Sequence, residues 1–107
     1  MIPGAAAIAT GTEGAARLPN GPRLGTLTSW RLVISPATGR RTLVAEGRFL
    51  RFWCEARPAY AEATVTPAPA PYRIGRKRPP TPRPLTFRGV VAELNPRALV
   101  IAEEAPE

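Results

Sequence analysis

The chain has 107 residues, enough for one small domain, with 15 basic against 8 acidic side chains and a net charge of +7. All but one of the bases are Arg, whose planar fork suits phosphate and stacks on bases, so the excess favours nucleic acid over generic solubility. GC-rich coding would account for Arg over Lys equally well, but not for the net charge. His, Asp and Gln are absent, which leaves hydrolytic triads, His-based acid–base pairs and most zinc sites without material. No catalytic group, metal site or cofactor is assigned, and a non-enzymatic role is expected.

Residues 1–22 are mostly Gly, Ala, Pro and Thr, with Ile2, Ile8 and Leu18 as the larger apolar groups. Such a stretch buries too little surface to offset the entropy of ordering, so a flexible N-terminal arm is expected ahead of one β domain over 23–104. It lacks the basic start of a secretory signal, and no apolar run approaches the ~18 residues of a membrane span. No membrane partner is therefore expected.

Leu24–Ser35 is rich in β-formers. Trp30, Leu32 and Ile34 share one face, and Arg31, Val33 and Ser35 the other. The phase of Leu24 and Leu27 does not match, which places a bulge or bend near Thr28. Ser35, Pro36 and Gly39 carry turn chemistry, so a hairpin into Arg41–Glu46 follows. Gly47 then marks a bulge or corner.

From Arg48 the alternation is read as a third strand, 48–57, ended by Pro58. Leu50, Phe52, Cys54 and Ala56 fall on its core face. Phe49, Arg51, Trp53, Glu55 and Arg57 fall on a presented face that is both aromatic and basic. Cys54, the lone cysteine, reads as a small buried hydrophobe and fits a reducing, cytoplasmic setting.

Ala59–Thr66 is ambiguous between strand and helix. The segment 67–84 is a Pro-rich basic insertion, with polyproline II as the expected conformation and Arg73, Arg76, Lys77, Arg78 and Arg83 as its charges. Leu85–Leu94 returns to strand, Asn95-Pro96 starts a type I turn, and Ala98–Ala102 runs back, with an acidic tail at 105–107. Residues 64–92 hold six bases and no acid.

Strands near 24–35, 41–46, 48–57, 85–94 and 98–103 suggest an all-β fold. It would be a small five-stranded antiparallel barrel, OB-like or SH3-like, with the insertion between its third and fourth strands. A split sandwich is the alternative. About 60 residues are left for the core, and domains of that size bury only ~60% of their unfolded surface, so protein partners or self-association are expected.

Function is open between two principal readings. The first is a module for single-stranded DNA or RNA, combining phosphate contacts with base stacking. Its site would comprise Phe49, Arg51, Trp53 and Arg57 with Arg31 and Arg88, and with Arg73, Arg76, Lys77, Arg78 and Arg83 as a charged arm. The second is a structural or adaptor subunit of a larger assembly, such as a virion or multi-subunit machine, using the same aromatic face as a protein interface. A third, weaker reading takes 76–82, RKRPPTP, as a ligand for a polyproline-binding domain.

Overall fold

The computed structural model describes residues 6–68, Gly75 and 83–103. Seven strands form one antiparallel sheet: β1 (Ala6–Gly11), β2 (Glu13–Arg17), β3 (Arg23–Ile34), β4 (Arg41–Phe49), β5 (Tyr60–Thr66), β6 (Leu85–Asn95) and β7 (Ala98–Ala102). One short helix, α1 (Arg51–Ala56), lies between β4 and β5.

The pairing runs β3-β2-β5-β6-β7-β4 and closes by β4 on β3, so six strands form a barrel and β1 is an extra strand laid on β3. The barrel is built from two three-stranded meanders, β2-β3-β4 and β5-β6-β7. They are joined along two seams, β2 with β5 and β4 with β7. The expected small antiparallel barrel is therefore present, but six strands close it rather than five, and the Pro-rich insertion separates β5 from β6.

Inward positions follow period 2 between the bulges that interrupt β3 and β6. They are Ala16 on β2, Leu24, Leu27, Trp30 and Leu32 on β3, and Leu43, Ala45 and Phe49 on β4. Ala61, Ala63 and Val65 on β5, Phe87, Val91 and Leu94 on β6, and Leu99 and Ile101 on β7 complete the core. The bulge expected near Thr28 is present, where the β3–β4 register shifts between Leu27 and Ser29. Leu27 thereby faces the same core as Trp30, and a second shift in the β2–β3 register, between Ala16 and Arg17, returns Leu24 to it. The 35–40 hairpin is closed by Ser35 N–H to the Arg40 carbonyl and Gly39 N–H to the Ser35 carbonyl, with Gly39 at φ 72°. The Asn95 Oδ1 accepts from the N–H groups of Arg97 and Ala98 and so fixes the turn between β6 and β7.

Two expectations need correction. The first concerns the N-terminal arm: Ala6–Gly11 and Glu13–Arg17 are strands of the sheet, while residues 1–5 lie outside the described part. Low apolar content misled, because ordering here comes from ladder hydrogen bonds to β3 and β5 rather than from large side chains. Small residues suit that role. Ala16 fills a narrow interior position, and a Cβ at Gly11 would strike the Trp30 indole.

The second concerns 48–57, which is not a strand. β4 ends at Phe49, opposite Gly25, and Leu50 N–H reaches the Leu24 carbonyl. β4 and β5 follow each other in the chain but are not neighbours in the sheet, so the chain must leave the wall and cross one end of the barrel. Residues 51–56 make that crossing as α1. Arg57 caps it in the left-handed region at φ 35°, and Pro58 follows, as Pro often does just past a helix end. The phase of the apolar residues is therefore reversed. Phe49 is core at 6% exposure, whereas Leu50 and Phe52 are 57% and 67% exposed.

A core this small is sensitive to loss of any large interior side chain. Leu99→Ala is expected to lower unfolding free energy by about 2–5 kcal/mol in urea titrations, whereas Leu50→Ala at the exposed helix entry should change it by no more than about 0.5 kcal/mol.

Candidate nucleic-acid interface

The antiparallel order sorts the connections to two ends of the barrel. One end carries the 18–22 turn, α1 and the 95–98 turn. The other carries the bend at Thr12, the 35–40 hairpin, the two ends of the Pro-rich insertion and Glu103.

The expected site residues divide between these regions. Arg51, Trp53 and Arg57 come together on α1 or at its end. Arg83 is exposed just before β6, at the opposite end, and Arg31 is exposed on the outer face of β3. Arg31 lies beside a cleft of about 400 Å³ that also contains Thr10, Thr12, Ser29 and Glu46. Phe49 is inside the barrel and leaves the interface. Arg73, Arg76, Lys77 and Arg78 lie outside the described residues. The single aromatic and basic strand face expected over 48–57 therefore does not exist.

Arg88 is occupied structurally. Glu62 sits on β5 directly opposite Arg17 of β2 on one side and Arg88 of β6 on the other. Arg17 Nη2 donates to Glu62 Oε1 at 2.9 Å, and Arg88 Nε to Oε2 at 2.9 Å. Glu62 is only 3% exposed, although it lies on the outer face, with its carboxylate paired to both guanidinium groups. Hydrogen bonds from Arg17 and then Arg88 hold it below the usual carboxylate range, against the opposing effect of burial. Across the other seam, Arg41 Nη2 meets Glu103 Oε1 at 2.8 Å, and Glu103 is likewise shifted down, first by that hydrogen bond.

The α1 end has a different character. Trp53 and Cys54 pack against the core, whereas Leu50 and Phe52 face out. Burial pushes the Cys54 thiol up, in keeping with a packing role. The Phe52 and Trp53 rings meet edge to face, with centroids 4.9 Å apart and planes at 73°. Arg57 Nη2 donates to the Ala92 carbonyl at 2.6 Å and ties the helix end to β6. Arg48 precedes the helix. Arg97 is brought beside it by the bonds from Gly47 N–H to the Arg97 carbonyl and from Phe49 N–H to the Pro96 carbonyl. Arg48 and Arg97 border a shallow cleft of about 480 Å³ together with Thr28, Glu46 and Pro96.

Aromatic and basic groups are thus combined in the protein, but at a barrel end, through Phe52 rather than Phe49. Sequence alternation hid this by assigning Phe52 to the core. No group of three or more His, Cys, Asp or Glu that could hold a metal ion occurs among the described residues, nor a helix long and apolar enough to cross a membrane. The chain matches no protein-family model, no curated protein and no solved structure.

The Glu62 cluster makes a pH prediction. Its folded-state value lies below that of the unfolded chain, so its contribution is full above the ordinary carboxylate range and is lost as pH falls through the depressed value. Glu62→Gln should cost about 1–3 kcal/mol at pH 7, measured by denaturant unfolding. The deficit relative to wild type should shrink as the medium is acidified below pH ~4.

Proposed function

We propose that this chain is a non-catalytic nucleic-acid-binding barrel whose affinity comes chiefly from phosphate contacts made by its Pro-rich basic insertion. Charge placement carries the reading: residues 64–92 contain six bases and no acid. Of these, Arg88 is committed to Glu62. Arg73, Arg76, Lys77, Arg78 and Arg83 remain as the electrostatic arm, with Arg31 on the adjoining outer wall. The barrel serves as a rigid base for that arm, since Val65 and Leu85 at its two ends are directly paired. A cytoplasmic setting is consistent with the unpaired thiol of Cys54.

A second reading, a structural or adaptor subunit, is favoured by a different surface. Tyr60 and Val90 are cross-strand partners on the outer wall, 49% and 39% exposed. Tyr60 also lines a cleft of about 450 Å³ with Pro19, Gly89, Arg88 and Glu103. Recovery of a stoichiometric protein complex that survives nuclease, together with no affinity for oligonucleotides, would favour this reading over the first.

Counterion release supplies the test. Neutralisation of five phosphates on a single strand gives a slope of about −3.5 in log affinity against log salt, at ~0.7 per contact. A variant lacking residues 69–82 should still unfold cooperatively while its salt slope falls towards zero. Absence of binding to any oligonucleotide at low salt would overturn the proposal.

A further inference from the structure

Building on the nucleic-acid reading, we infer that Phe52 is a stacking platform for one unpaired nucleobase, so that the ligand engaged at the α1 end is a single strand. Exposure of an aromatic ring is informative here because this one has a packed aromatic neighbour. Phe52 is 67% exposed, the largest value among the exposed large hydrophobic side chains of the described residues. Its neighbour Trp53 is packed against the core, and the Phe52 ring meets that indole edge to face. That geometry leaves at least one face of the Phe52 ring clear of the indole. A base can cover that face without a prior rearrangement, and base–aromatic stacking is indifferent to sequence because every base has a π-face.

The surrounding charge fits a phosphate backbone on either side of such a base. Arg51 is adjacent on the helix, and Arg48 and Arg97 border the neighbouring cleft. Glu46 in that cleft and Glu55 on α1 oppose them, so the basic excess is modest and the ring is the dominant feature. Duplex DNA keeps its bases stacked inside, and an exposed aromatic ring has no base face to meet there. Single strands present such faces.

The experiment measures anisotropy of a labelled oligonucleotide of about 12 nucleotides, the same strand with abasic positions, and the matching duplex. The proteins are wild type, Phe52→Ala and Phe52→Trp, all as full chains. Phe52→Ala should weaken single-strand binding about 5- to 150-fold, Phe52→Trp should restore it, and duplex binding should not respond. Abasic positions should weaken binding to wild type but not further weaken binding to Phe52→Ala, which tests the platform on unaltered protein. Equal affinity of wild type and Phe52→Ala for a strand that wild type binds would overturn the platform and leave the electrostatic reading standing. No binding of any strand by wild type would overturn both. A change in the sedimentation of the protein alone on Phe52→Ala would also overturn the inference, assigning the ring to a protein contact.

Discussion

Closure of the barrel depends on two seams that no hairpin supplies. Every other strand contact within the barrel joins consecutive strands, so each meander pairs along the order of the chain. The β2–β5 and β4–β7 seams must instead bring distant parts of the chain together. Each carries an Arg–Glu pair: Arg17 with Glu62 on one, Arg41 with Glu103 on the other. Half-exposed pairs are individually weak. Their value here is register, because a slip of one residue would turn an inward row of Ala, Val, Leu and Ile outward and part the charges as well. The Glu62 carboxylate goes further, linking three adjacent strands through Arg17 and Arg88.

This constraint also shapes the candidate interface. Consecutive strands β4 and β5 lie apart in the barrel, so the chain must cross the barrel end, and the crossing segment carries the aromatic residues. Trp53 and Cys54 reach the core from above, which obliges Leu50 and Phe52 to face solvent on so short a helix. The exposed ring thus follows from how the meanders are connected. Several Arg residues are used up by the same architecture: Arg17, Arg41 and Arg88 in ion pairs and Arg57 on a backbone carbonyl.

Much of the wall was legible from the residues. Turn chemistry at Ser35–Gly39 and at Asn95-Pro96 located two connections, and the phase conflict between Leu27 and Trp30 located a bulge. β1 and β2 were not legible, because strands of Ala, Gly and Thr have no apolar period and depend on partners remote in sequence. One local signal was present and passed over: Asn20-Gly21, a pair common in hairpin turns, where Asn20 indeed takes φ 55°. The 48–57 stretch failed for another reason. Treating Gly47 as a corner restarted the alternation at Arg48, whereas Leu43, Ala45, Gly47 and Phe49 continue in one phase. Beyond Phe49, five alternating residues fit a helix turn as readily as a strand, and connectivity decides between them. Tyr60–Thr66, read both ways, became a strand because β2 and β6 flank it.

The seams have a kinetic consequence. Their ion pairs join residues 45 and 62 positions apart, whereas pairings within each meander join consecutive strands, the longest of those connections being the Pro-rich insertion between β5 and β6. Loop-closure entropy must be met before distant strands gain anything from pairing, and barrels rich in non-local pairs fold in milliseconds to seconds rather than microseconds. The two meanders therefore have time to form as separate units, tied only through α1, before they dock. Until they do, the edges of β2, β4, β5 and β7 are open together, and the route to the folded barrel passes through its most aggregation-prone arrangement.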